Sequence, residues 1–122
     1  TTIFTIAGGP IEVVALLSVC ATVNDGTAST LKYTADPTDG AATDLSIASA
    51  SLASAAAGTT ALCTGTFANA PTISANGTVA AGTTKFIVPV GIIKITIATG
   101  PTTGTWTHHL RYKPLARGVT VS

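Results

Sequence analysis

The chain has 122 residues, of which 46% are hydrophobic, 9% charged and 5% aromatic, and its formal net charge is +1. This length supports one domain with a sizeable core, and the surface is poorer in charge than the roughly 25% of an average soluble domain. Scattered Lys and Arg argue against nucleic-acid binding, and no uninterrupted apolar run reaches the roughly 18 residues of a membrane span.

The first predicted strand covers residues 2–7 and ends at Gly8-Gly9-Pro10. Residues 11–23, IEVVALLSVCATV, form the second predicted strand, which has apolar residues at both its odd and its even positions and so on both faces. Strict alternation places Val13 and Leu17 on the core face and Val14 and Leu16 on the opposite face. Both faces are therefore expected to be covered, the second by another layer or by a neighbouring subunit.

The middle of the chain consists of short segments separated by turn residues. Residues 49–58, SASLASAAAG, are the one segment in which a short helical turn competes with extended structure. Residues 68–83 are rich in turn formers, and a short hairpin over Asn76-Gly77 is an option there. The remaining predicted strands are residues 30–35, 43–50, 59–67, 84–90, 92–97, 105–113 and 117–121.

Residues 91–115, GIIKITIATGPTTGTWTHHLRYKPL, read as two strands joined by a Gly-Pro turn. Strict alternation in both strands is typical of a sheet with one buried and one wet face. We predict that this hairpin builds the core, because its inward face carries the only Trp and one of two Tyr residues. The predicted core residues are Val13, Leu17, Ile93, Ile95, Trp106, Leu110 and Tyr112.

About eight short antiparallel strands with at most one helical turn predict an all-β fold, a β-sandwich or jelly roll, formed as a single domain over residues 1–122. The chain contains no Met and opens with Thr1. We therefore expect a processed chain or a part of a longer one, with an anchor or stalk as one option for what precedes Thr1.

No catalytic, cofactor or metal site is predicted. Adjacent residues of a strand point to opposite faces, so His108 and His109 are poorly placed to chelate one ion. Asp36, Asp39 and Asp44 match no EF-hand loop and fit solvated turn carboxylates better than a Ca²⁺ site. No nucleophile elbow or phosphate loop is present, so we expect no enzymatic activity.

The two cysteines are too few for the disulfide framework of a small secreted domain. Two buried thiols are the favoured interpretation of Cys20 and Cys63, and a bond requires strands that bring their Cα atoms within about 6 Å.

Arg111, Lys113 and Arg117 form the one local cluster of cations. A solvated strand face and an interface with carboxylates of a neighbouring subunit, such as Glu12 or Asp44, explain it about equally well. The candidate subunit or shell interface comprises Glu12, Val14, Leu16, His109, Arg111, Lys113 and Arg117.

Three segments carry a family resemblance: TIFTIAGGPIEVVALLSVC, LKYTADPTDGAATDLSIASASL and VPVGIIKITIATGPTTGTWTHHLRYKPLARGVTV. Their order resembles small β-rich virion structural proteins of tailed bacteriophages, of the capsid-decoration and head-fibre kind. The matching positions are Phe4, Gly8, Gly9, Asp36, Pro37, Asp44, Leu45, Pro89, Gly91, Ile93, Gly104, Leu110, Tyr112, Pro114, Leu115 and Gly118.

The resemblance implies a structural protein of the virion with no catalytic residues. We expect a capsid decoration, or cement, protein on the capsid surface that contacts its own copies, as a homotrimer, and the major capsid protein or another virion protein. The alternative is a tail-associated or head-fibre module that binds a host-surface glycan. Neither nucleic acid nor membrane is an expected partner.

Overall fold

The computed structural model describes residues 1–75, 84–98 and 104–122. These residues form ten strands and no helix. The strands build two antiparallel five-stranded sheets that pack on each other, so the all-β prediction is confirmed and the architecture is a β-sandwich. The strands are β1 (Thr2–Ala7), β2 (Ile11–Thr22), β3 (Thr30–Pro37), β4 (Thr43–Asp44), β5 (Thr60–Leu62), β6 (Thr72–Ser74), β7 (Phe86–Val88), β8 (Gly91–Ala98), β9 (Thr105–Pro114) and β10 (Thr120–Val121).

The first sheet has the strand order β10-β1-β8-β3-β4. Its centre is the β3–β8 pair, in which Tyr33 lies opposite Ile95 and Ala35 opposite Ile93. These four side chains are buried in the core. Alternation along β3 and β8 therefore sends one set of residues into the sandwich and leaves the polar set outside.

The second sheet is organised around β2, which pairs with β5, β7 and β9. β9 runs along most of β2, whereas β7 pairs only at Ile11–Val13 and β5 only at Leu17–Val19. Since a strand has two edges, β5 and β7 share one edge of β2 and β9 occupies the other. β6 extends the sheet beyond β5.

The predicted hairpin over residues 91–115 is wrong in its pairing. β8 pairs with β1 and β3 in the first sheet, and β9 pairs with β2 in the second. Alternation identified the buried face of each strand correctly, but both sheets of a sandwich turn an apolar face to the same core, so this pattern does not select the partner strand. The predicted Gly-Pro turn lies outside the described residues.

The predicted division of the β2 side chains between the core face and the outer face is also wrong after Val13. In the pairing with β9, Val13 lies opposite Tyr112 and Ala15 opposite Arg111, so Val14 is the extra residue of a β-bulge. The bulge shifts the alternation by one residue. Leu16, expected at an interface, is 0% exposed, and Leu17, expected in the core, is half-buried on the outer face.

Residues 43–59 contain less regular structure than predicted. The predicted strand over 43–50 is regular only at Thr43–Asp44, because the hydroxyl oxygens of Ser46 and Ser49 accept hydrogen bonds from β3 at Tyr33 N (3.1 Å) and Leu31 N (2.9 Å). The possible helical turn over 49–58 is absent, although Leu52 is buried there with 1% exposure. The optional hairpin over Asn76-Gly77 lies outside the described residues.

Candidate interaction surface

β9 is a long edge strand of the second sheet. Among the described strands it pairs only with β2. Its ten residues alternate between exposed and half-buried side chains over most of their length. An edge of this length is uncommon, since unpaired strand edges invite association with other chains.

The outward row of β9 is cationic. His109, Arg111 and Lys113 are exposed, and Arg117 is exposed beyond the end of the strand. Within the described part of the chain, none of these four side chains forms an ion pair. The outward row therefore presents positive charge that this chain does not neutralise by direct contact.

Apolar side chains on the outer face of β2 lie beside this outward row. The β2–β9 register places Leu17 opposite His109 and Ala15 opposite Arg111, and both β2 side chains are half-buried. On the far edge of β2, Ile87 of β7 is 54% exposed. Glu12 lies between Ile87 and Lys113 and is the one acidic residue of this face. We refer to the outer face of β2, β7 and β9 as the mixed face.

The inward row of β9 completes the core only in part. Trp106, Leu110 and Tyr112 pack against the core cluster but remain half-buried. Trp106 is oriented by a hydrogen bond from its Nε1 to Oδ1 of Asn24 (3.2 Å). Because no described strand pairs with the far side of β9, these side chains keep an exposed flank.

Asn24 has a structural role that the sequence does not predict. It is 3% exposed and also donates from Nδ2 to the carbonyl of Leu52 (3.2 Å). Its side chain thus connects the start of β9 to the 43–59 segment. Asn is so common in turns that the sequence carries no signal for this second role.

The outer face of the first sheet has a different character, because its charges are paired within the chain. Nζ of Lys32 lies 3.3 Å from Oδ2 of Asp44, and Nζ of Lys94 lies 3.3 Å from Oδ2 of Asp36. Asp44 also accepts a hydrogen bond from Oγ1 of Thr34 (3.2 Å). Asp44, one of two carboxylates considered for contact with a neighbouring subunit, is therefore already engaged by its own chain.

His108 points into the sandwich, opposite to His109. Its Nδ1 lies 2.7 Å from Oγ of Ser18, which in turn lies 2.7 Å from the Tyr33 hydroxyl. Burial, followed by the charge of His109, lowers the pKa of His108, and burial raises the pKa of Tyr33. A Ser–His contact of this length has the form of a nucleophile and its base, but Ser18 is 0% exposed and no substrate atom can reach it in this conformation.

Metal-binding clusters and disulfides are absent from the described residues. No group of three or more His, Cys, Asp or Glu side chains there is placed to hold a metal ion. Cys20 and Cys63 are free, buried thiols, and burial raises the pKa of both. No helix of that part of the chain is long and apolar enough to cross a membrane.

Two shallow depressions lie away from the mixed face. One, of about 540 Å³, is lined by the Ala/Ser segment around Leu52 and by Ile73. The other, of about 360 Å³, is lined mainly by Pro10, Pro37 and Pro89. Neither is lined by an aromatic ring, the group on which sugar rings commonly stack.

The predicted interface residues separate into two groups. Glu12, Val14, His109, Arg111 and Lys113 belong to or border the mixed face, and Arg117 is exposed nearby. Leu16 belongs to the core. Of the predicted core residues, Val13, Ile93 and Ile95 are buried, Trp106, Leu110 and Tyr112 are half-buried, and Leu17 is on the outer face.

Comparisons with protein-family models, curated proteins and solved structures found no match to this chain. The resemblance to phage virion proteins therefore stays a prediction.

Proposed function

We propose that the chain is a non-enzymatic structural protein of a bacteriophage virion, a decoration protein that binds the outer capsid shell as an oligomer. The observation that carries the proposal is the mixed face with its open edge. It combines exposed apolar side chains such as Ile87 with unpaired cations, in a chain of only 9% charged residues. Interfaces that hold protein subunits together are built from such combinations of apolar area and charge.

The remainder of the surface supports a binding role more than a catalytic one. The Ser18–His108 contact is enclosed by the two sheets, and Asp39 is the one charged side chain that lines either depression. A sandwich that supplies rigid faces needs only burial and strand contacts to act as cement between shell subunits. A standard interface of about 1,600 Å² gives stable association.

A glycan-binding tail or head-fibre module has less support. Trp106 and Tyr112 are half-buried in the sandwich, and Phe67 is in edge contact with Phe86, with ring centroids 5.4 Å apart. A glycan screen with purified protein tests this alternative directly, and specific binding lost on mutating Phe67 would favour it.

Cryo-electron microscopy of the intact particle tests the proposed location. We expect repeating density for this sandwich on the outer capsid surface, and density confined to the tail would contradict the proposal.

Light scattering tests self-association separately. We expect a homotrimer, and a monodisperse monomer at tens of micromolar would remove the proposed oligomer while leaving shell binding to be tested.

A further inference from the structure

The backbone of β9 has a row of donors and acceptors that faces away from β2. Cys20 N donates to Thr59 O (2.8 Å), so the even-numbered residues in this part of β2 hydrogen-bond to β5. Alternate residues of an antiparallel strand bond to opposite neighbours. The backbone N–H and C=O groups of Leu17 and Val19 therefore point towards β9. Those of the opposite residues, His109 and Thr107, point towards β2.

The even-numbered residues of β9 consequently direct their N–H and C=O groups to the open side. We call the N–H groups of Trp106, His108, Leu110 and Tyr112 the edge amides. No hydrogen bond of an edge amide occurs in the described part of the chain. The edge is thus a template, roughly 30 Å long, for one further strand.

Each face of the edge sets a requirement for the residues of an added strand. Opposite the edge amides, the added residues would cover the exposed flanks of Trp106, Leu110 and Tyr112, so apolar side chains fit there. Residues at the alternate positions would lie beside the exposed outward row, where acidic side chains would meet unpaired cations. The edge therefore selects a segment in which apolar and acidic residues alternate.

A second copy of β9 does not meet these requirements. Pairing two copies would bring both sets of Arg111 and Lys113 onto one face, with Glu12 as the only acid of that face in each copy. β1 is the one other described strand with an open side and more than three residues, and β10 covers part of its edge. Both charge and length thus favour a segment of a different protein.

We propose that the open edge of β9 binds an extended, alternating acidic and apolar segment of another protein by antiparallel strand addition. The site itself stands on this geometry alone, whereas naming a shell protein as the donor of the segment rests on the proposed function. The added strand makes a sixth strand of the second sheet and neutralises Arg111 and Lys113.

The probe is a short acetylated and amidated peptide of alternating Val and Glu, added to the ¹⁵N-labelled full chain. We expect shifts and slowed hydrogen exchange of the edge amides, together with a change in the fluorescence of Trp106, the only Trp. Two N-methylated peptides provide matched probes of equal composition. Methylation at Val removes the donors that face β9 and should abolish binding, whereas methylation at Glu leaves those donors and should preserve it.

Charge is tested with Arg111→Glu and the control Lys85→Glu, which makes the same change at an exposed position beside β7, across β2 from β9. We expect about tenfold weaker binding for Arg111→Glu, since a favourable cross-strand pair becomes unfavourable, and at most about twofold for Lys85→Glu.

Four results would overturn the proposal: no binding of the unmodified peptide, equal binding of both methylated peptides, equal effects of the two charge reversals, or concentration-dependent shifts of the edge amides without peptide. The last of these would indicate self-pairing of β9. None depends on where the protein lies in a virion, so failure of strand addition is distinguishable from failure of the proposed function.

Discussion

The Tyr33 hydroxyl lies 2.7 Å from Oγ of Ser18, a hydrogen bond that joins the two sheets through the centre of the core. Tyr33 also donates to the carbonyl of Ala61 at 3.1 Å. Since Tyr33 gives its only proton to Ala61, Ser18 donates to Tyr33 and accepts from Nδ1 of His108. A directed chain of hydrogen bonds therefore connects β9, β2, β3 and β5 and selects the Nδ1–H tautomer of His108.

Removing the Tyr33 hydroxyl should destabilise the fold by about 1–3 kcal/mol, because Ser18 is fully buried and loses its acceptor. Urea unfolding of Tyr33→Phe measures this loss. Tyr112→Phe is the matched control, because the Tyr112 hydroxyl makes no hydrogen bond in the described part of the chain. Equal stability of the two variants would contradict the proposed hydrogen-bond chain.

Stability should fall as the solution is acidified through the ordinary pKa of His. Burial lowers the folded-state pKa of His108, so below about pH 6.5 the unfolded chain binds a proton more readily than the folded one. The contribution of His108 is therefore complete above that pH and is lost as the pH falls towards the lowered pKa.

Unfolding of His108→Asn at a series of pH values tests this sign. Asn keeps an N–H donor for Ser18 but does not titrate, so its stability should depend less on pH than that of the wild type. His109→Asn, which alters an exposed ring, should retain most of the wild-type slope. If the free energy of unfolding of His108→Asn changed with pH as steeply as that of the wild type, the pH dependence would belong to other groups.

Because of the bulge in β2, we expect truncation of Leu16 to cost more stability than truncation of Leu17, the reverse of what strict alternation predicts. Leu16→Ala should cost about 2–5 kcal/mol, because Leu16 is 0% exposed and its truncation leaves a cavity. Leu17→Ala should cost about 1 kcal/mol, because Leu17 is half-buried on the mixed face. Chemical denaturation of both variants decides the matter, and a larger loss for Leu17→Ala would restore the unbulged alternation.

Gly91 allows β8 to begin against the end of β3. Its φ is +153°, and a Cβ atom there would lie 2.6 Å from Cα of Pro37 and collide with the carbonyl oxygen of Asp36. We expect Gly91→Ala to lower stability by about 1–3 kcal/mol. Gly26→Ala is the control, since nothing lies within 4 Å of its added Cβ, and thermal unfolding should separate the two variants clearly.

Much of the fold was predictable because it depends on local alternation and turn chemistry. Alternation gave the positions of β1, β2, β3, β8 and β9 and the inward rows of β8 and β9. The β6 strand was missed, since Thr72–Ser74 is too short to show a period and its pairing with β5 is non-local. The helical option over 49–58 failed because Ser49 and Leu52 make contacts with the first sheet that propensity does not register.

The candidate surface was predictable only in part. The outward positions of His109, Arg111 and Lys113 follow from their place in an alternating strand, and the split of the two histidines follows from the same rule. The prediction that Leu16 belongs to the interface is wrong, because Leu16 is buried. The bulge that turns it inward is a feature of strand pairing, and a strand with apolar residues on both faces gives no sign of it in the sequence.

The sequence by itself determined an all-β chain of low charge with a cationic, alternating segment near its end. Only the tertiary structure decided that β8 and β9 belong to different sheets and that β9, among the described strands, pairs along one side alone. The reason is physical: alternation is a property of one strand and its solvent, whereas pairing is set by which strands can bury their apolar faces against a common core. What reads as a hairpin in the sequence is, in the folded protein, a central strand of one sheet and the open edge of the other.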